Sequence, residues 1–154
     1  MTQAQFKTLI ASVTGLIADH PLDASLQVDL DRDFPADGPK FQALLSACRT
    51  AIDEGWMCSR DAGGIRYGRV IKPDPDHGGF SVDVVEMKDV AGPHHRHPNG
   101  EIDLVMPLTP GALFDGFPAG WVVYGPGTSH FPTVSNGSAL VLYLLPQGAI
   151  EFTR

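Results

Sequence analysis

Apolar residues recur at two different periods along the 154-residue chain, and the change of period divides it. Phe6, Leu9, Ile10, Val13, Leu16 and Ile17 are spaced by threes and fours, the stripe of an amphipathic helix. Thr2 and Gln5 have the spacing of a capping box at its start, and Pro21 marks its end. Pro39 opens a second helix at a position where a missing N–H costs nothing. Phe41, Leu44, Leu45, Cys48 and Ile52 form its apolar face, and Gly55 is its stop. Between the two, residues 22–38 are acidic. There Leu26-Gln-Val-Asp-Leu30 alternates as a short strand does, whereas Asp31, Asp33 and Asp37 read as loop.

From Trp56 onward the chain breaks into short runs rich in Val, Ile, Phe and Tyr, separated by Gly and Pro. Strands are predicted at 56–59, 65–72, 79–90, 94–97, 101–107, 112–114, 121–124, 128–135 and 138–145. Asn136-Gly137 reads as a hairpin turn between the last two. Many antiparallel strands in about a hundred residues mean a sandwich or barrel. The expected organisation is one compact domain that is mainly β, with residues 1–55 as a helical cap and 56–154 as the barrel. The 17 Gly and 13 Pro fit that many turns.

Net charge changes the picture by exclusion. At −7 the long-range field repels phosphate backbones and anionic lipid, so neither nucleic acid nor membrane is an expected partner. No apolar run approaches the ~20 residues needed to span a bilayer, and the start lacks the basic-then-apolar pattern of a secretory signal. The cytoplasm is the expected location. Two cysteines, Cys48 and Cys58, are too few for a disulfide scaffold, and no nucleophile signature surrounds either. The aspartates of 29–37 lack the internal Gly and terminal Glu of a calcium loop.

Chemistry concentrates in Gly92-Pro-His-His-Arg-His-Pro-Asn-Gly-Glu101. Residues two apart on a strand share a face, so His95 and His97 converge and His94 points away. A three-residue loop, Pro98-Asn99-Gly100, then sets His97 opposite Glu101 across a hairpin, with Gly100 in the left-handed position of a bulge. A tight two-residue turn at Asn99-Gly100 instead sends Glu101 to the other face. The three-residue loop suits the residues at all three of its positions. His130, in Gly125-Pro-Gly-Thr-Ser-His130, is the candidate fourth ligand. Three imidazoles and a carboxylate suit Zn, Fe, Mn, Ni or Co with positions left open for water or substrate. Glu101 can alternatively stay unligated as a base beside a three-histidine site. His20 and His77 carry no signal.

The order His95-x-His97-x-x-x-Glu101, followed about thirty residues on by a Gly/Pro turn and His130, resembles the two metal motifs of the cupin superfamily. Gly127, three before His130, fits the second motif. Pro126 and Val134 depart from it, since the usual pattern has Pro five before the His and Asn four after. Phe80-Ser-Val-Asp-Val-Val-Glu-Met-Lys-Asp-Val90, Gly120-Trp-Val-Val-Tyr-Gly-Pro-Gly127 and Ala139-Leu-Val-Leu-Tyr-Leu-Leu-Pro146 extend the likeness to the small cupin-like family that includes 4-hydroxylaminobenzoate lyase. The resemblance implies a cupin-type jelly-roll barrel preceded by two helices. It also implies a lyase of aromatic compound degradation that turns 4-hydroxylaminobenzoate into 3,4-dihydroxybenzoate and ammonia. Its metal would be held by His95, His97, Glu101 and His130, with Glu101 and His130 as catalytic groups. A homodimer is expected from how such small barrels associate.

Tyr67, Trp121 and Tyr124 are candidates to line an aromatic pocket, and Phe131 is a further one. Arg66 and Arg69 lie three apart on one strand, so only one enters a pocket. Arg69, Arg96 or Lys72 is the candidate clamp for a substrate carboxylate. Two other functions stay open: an iron-dependent cupin dioxygenase, which consumes oxygen, and a non-catalytic metal- or ligand-binding cupin, which binds without turnover. Gly125-Pro-Gly127 lacks the Lys-Ser/Thr of a phosphate loop, and Ser129-His130 is not a nucleophile elbow.

Overall fold

The computed structural model describes residues 2–153. Among them are three helices rather than two: α1 (Gln3–Ile17), α2 (Ala24–Asp33) and α3 (Pro39–Asp53). The capping box at Thr2 forms as the spacing requires. Helix α2 occupies the segment read as strand or loop. Leu26 and Leu30 are fully buried while Val28 between them is 64% exposed, so the true period is four and not two. Asp23 caps it by accepting from the N–H groups of Ser25 and Leu26.

The strands are β1 (Arg60–Ala62), β2 (Ile65–Ile71), β3 (Phe80–Ala91), β4 (His95–His97), β5 (Glu101–Pro107), β6 (Leu113–Phe114), β7 (Gly120–Tyr124), β8 (Thr128–His130), β9 (Thr133–Pro146) and β10 (Glu151–Phe152). The strand expected at 56–59 is absent, and the chain enters the sheet at Arg60. A large antiparallel sheet runs β1-β2-β3-β9-β5-β7, with β6 also on β9, and a small sheet runs β10-β4-β8. The chain is thus mainly β, a double-sheet jelly roll of the cupin type.

Strand alternation gives the large sheet two different faces. Val82, Val84, Ile102, Leu104, Leu140, Leu142 and Leu144 join Phe6, Ile10, Leu26, Leu30 and Leu44 in one core against the helices. Val85, Met87, Val105, Val141 and Tyr143 face inward and form a second core with Phe114 and Val134. Each large apolar side chain fully buried in this way contributes about 1.5–3 kcal/mol relative to exposure. The helices therefore back the sheet, and the barrel interior on its other face is left for chemistry.

No hairpin forms at Asn136-Gly137. β9 runs through it, with Ser138 opposite Lys88 and Val134 opposite Val90, so Ser135-Asn136-Gly137 bulges against Asp89 alone. Asp89 secures the bulge by accepting from the Gly137 N–H at 2.9 Å. No helix among the described residues is long and apolar enough to cross a membrane.

Candidate metal centre

β4 and β5 do not pair with each other, which corrects the expected ligand hairpin: β4 belongs to the small sheet and β5 to the large one. Residues 98–100 form the corner between the sheets. The His97 carbonyl accepts from the N–H groups of Gly100 at 3.2 Å and Gly127 at 2.8 Å. Gly100 adopts φ +89°, and a Cβ there would lie 2.7 Å from both Leu22 Cδ2 and the Tyr124 carbonyl oxygen. The corner aims Glu101 back at the histidines across the barrel, not across a ladder. β8 brings the third imidazole, since His95 pairs with His130 and His97 with Thr128.

One ligand atom from each of His95, His97, Glu101 and His130 lies within 4.8 Å of all the others. His97 and Glu101 are fully buried, and His95 is nearly so. Nε2 of His97 is 3.2 Å from Glu101 Oε2, and Nε2 of His95 and of His130 each stand 3.7 Å from a Glu101 oxygen.

The surrounding hydrogen bonds assign two of the tautomers. Thr128 Oγ1 donates to the Gly125 carbonyl at 2.7 Å, so it accepts from Nδ1 of His97 at 3.0 Å. Asp115 Oδ2 accepts from Nδ1 of His130 at 2.5 Å. Both rings therefore turn an Nε2 lone pair inward. Among the described residues, His97 Nε2 and both Glu101 oxygens are buried without a hydrogen-bond partner. Buried lone pairs facing a buried carboxylate need a positive charge between them. The donor set, imidazole nitrogens with one carboxylate, fits a divalent first-row metal.

Protons can do part of the same work. Burial pushes the Glu101 carboxyl up, but the neighbouring side chains of His95, His97 and Asp103 more than offset this and hold it at about 2. Asp103, two residues along the same face and fully buried, moves the other way: burial and then the Glu101 charge raise its carboxyl well above the ordinary range. Asp115 is pushed up by burial and pulled down further by bonds from His130, Tyr124 and Thr133, so it is ionised.

A cavity of about 960 Å³ opens beside these ligands and shares His95 with them. Asp83, Val85, Met87 and Tyr143 of the inner sheet face line it, as do Tyr67, Arg69 and Lys72 from β2 and the segment after it. Arg69 holds both oxygens of Asp83, at 3.1 and 3.2 Å. Tyr124 stacks on His97 with ring centres 5.5 Å apart and donates to Asp115 at 2.6 Å.

Other expected site residues lie elsewhere. Trp121 packs in the helix-side core and donates its indole N–H to the Phe34 carbonyl, because β7 turns that face to α2. Arg96 points outward, as alternation on β4 demands, and pairs with Glu151 at 3.4 Å. Arg66 pairs with Glu86 at the surface, and Phe131 is largely exposed. Cys48 and Cys58 sit in the helix-side core, where burial pushes both thiols up and leaves them unreactive. The sequence reading missed Asp103, Asp115 and Thr128. Asp103 alone carried a signal, being an acid two residues from Glu101 in an otherwise apolar strand.

A family model described as PnbB: 4-hydroxylaminobenzoate lyase matches residues 8–152. The chain is 28% identical over 153 positions to the 4-hydroxylaminobenzoate lyase of Pseudomonas putida, spanning 88% of this chain and 87% of that relative. It is 31% identical over 122 positions to the 4-hydroxylaminobenzoate lyase of Nocardioides sp. (strain LMS-CY), spanning 73% and 72%. Of solved structures, the DMSP lyase DddQ from Ruegeria pomeroyi DSS-3 aligns over 99% of this chain and 98% of its own, with a TM-score of 0.43 and 20% identity. An RmlC-like cupin protein from Ralstonia eutropha JMP134 aligns over 60% and 62%, with a TM-score of 0.45 and 15% identity.

Proposed function

This chain belongs to the 4-hydroxylaminobenzoate lyase family and is an enzyme of that type, and from that premise we propose that it converts 4-hydroxylaminobenzoate into 3,4-dihydroxybenzoate and ammonia. The observation that carries the reading is the convergence of His95, His97, Glu101 and His130, of which His95 also lines a cavity with room for a single-ring acid. These four residues would hold a divalent metal, which supplies a Lewis acid for the hydroxylamine oxygen.

The reaction balances without an external oxidant. The N–O bond breaks and the nitrogen is reduced by two electrons while the ring is oxidised by two. One water is consumed net as the ring gains two hydroxyl groups and loses nitrogen as ammonia.

The chain's own residues supply the rest. Glu101 stays ionised far below neutral pH and so offers the site a standing negative charge toward the metal, and we assign it to receive the proton of the entering water on its geometry. His130, anchored through Nδ1 to Asp115, is the group we assign to present its Nε2 lone pair to the metal. Arg69 is the cation for the substrate carboxylate and Tyr67 flanks the ring, both from the cavity lining, while Tyr124 backs His97. Removing water from the barrel interior strengthens each of these interactions.

The test is direct. Purified metal-loaded protein incubated with 4-hydroxylaminobenzoate should release one ammonia per dihydroxybenzoate, consume no oxygen, and stop when chelated. Absence of both products removes the assignment, and stoichiometric oxygen uptake transfers it to a dioxygenase.

A further inference from the structure

Asp115 follows β6 with φ +52°, a left-handed conformation uncommon outside glycine and more open to Asp than to most residues. Thr133 holds it twice. The Asp115 N–H donates to the Thr133 carbonyl at 2.8 Å, and the Thr133 N–H donates back to Asp115 Oδ1 at 2.9 Å. The clamp leaves Oδ2 for the barrel interior, where that one atom accepts from Nδ1 of His130 at 2.5 Å and from the Tyr124 hydroxyl at 2.6 Å. The Tyr124 ring in turn lies 5.5 Å from the His97 ring at 30° and 4.8 Å from the His130 ring.

From this arrangement we infer that Asp115 is a positioning residue of the site: it fixes His130 in the tautomer whose bare Nε2 faces the other ligands and holds Tyr124 against His97. A neutral imidazole carries its proton on either nitrogen, and with the proton on Nε2 it cannot bind a metal there. A carboxylate on Nδ1 selects the competent form and raises the basicity of the opposite nitrogen. Because Asp115 rests on a backbone clamp from a different strand, its grip does not depend on His130. Neither histidine motif contains it. The inference rests on reading the four residues as a metal site and not on the identity of the substrate.

The experiment uses the full chain, metal-free, at a pH where the imidazoles are neutral. A long-range nitrogen–proton spectrum of the histidines should show His130 protonated at Nδ1 and bare at Nε2. Asp115→Asn should shift His130 toward the Nε2-protonated form and weaken Co²⁺ binding about ten- to hundredfold. Tyr124→Phe, which removes the other bond to Oδ2, should keep both the tautomer and a Co²⁺ affinity near wild type. Finding His130 protonated at Nε2 in the wild type overturns the inference without any variant. So does an Asp115→Asn protein that retains the wild-type tautomer and Co²⁺ affinity. A wild-type chain that binds no Co²⁺ removes the metal reading instead, and the tautomer measurement then decides Asp115 by itself.

Discussion

Nε2 of His95 and Nε2 of His130 face each other at 3.0 Å on directly paired strands. The Nδ1 proton of His130 is committed to Asp115, so these two nitrogens rest in contact only with a proton or a cation between them. Protein purified without a histidine tag is therefore expected to carry about one divalent ion per chain. Replacing His95, His97 and His130 together by alanine should abolish it. Chelation should also lower the thermal midpoint, because an ion that binds only the folded state at a hundred times its dissociation constant stabilises it by about 2.7 kcal/mol. Full metal content in the triple variant, by elemental analysis, would contradict the site.

Asp103 makes the metal-free protein sensitive to pH in a definite direction. Its folded value is raised above the ordinary 3.8 by burial and by the neighbouring Glu101, so folding takes up a proton that the unfolded chain releases. Stability is then fully present below about pH 4 and falls as pH rises toward the folded value, by on the order of 1 kcal/mol per pH unit. Glu101 acts in a different window. With its folded value depressed to about 2, its contribution is lost only as pH drops below its ordinary 4.5. Urea unfolding across pH should show the downward slope in wild type and a flatter one in Asp103→Asn. Equal slopes would mean that Asp103 is not the protonated group.

How much of this was legible follows from which forces are local. Alternation places His95 and His97 on one face whatever the sheet does, and their side chains do meet in the barrel. The corner at Gly100 was not legible, because a positive φ and an N–H to the His97 carbonyl satisfy a hairpin and a sheet-to-sheet corner equally. Distant Gly127 decides between them by donating to that same carbonyl. Asn136-Gly137 has hairpin chemistry, yet β3 extends past it and keeps β9 paired on both sides. Asp115 was silent because an Asp-Gly pair after a short strand reads as a turn, and its partners lie at 124, 130 and 133.

The α2 segment shows the same limit and gives a test of it. Five residues cannot distinguish a period of two from a period of four when Leu26, Val28 and Leu30 are all apolar. Packing chooses, burying the outer two and exposing the middle one. Val28→Asp should therefore change stability by no more than about 0.5 kcal/mol, whereas Leu30→Ala should cost about 2–5 kcal/mol. Denaturant midpoints decide it, and a severe loss from Val28→Asp would return the segment to a strand.

Arg69 supplies the sharpest test of substrate orientation. Its Nε and Nη2 are engaged by Asp83, while Nη1 makes no hydrogen bond among the described residues and belongs to a side chain lining the cavity. A carboxylate gripped there equally in ground and transition states contributes to binding and not to turnover. Arg69→Ala should thus raise KM about ten- to hundredfold, the worth of a hydrogen bond to a charged group, with kcat much less affected. The substitution also strips Asp83 of its partner, and burial already raises that carboxyl. Arg69→Ala with Asp83→Asn separates the two effects, since the double variant should recover folding stability but keep the high KM. A substrate analogue with an amide in place of the carboxylate should respond to neither change. If the double variant recovers wild-type KM, Arg69 serves Asp83 and the carboxylate is held elsewhere.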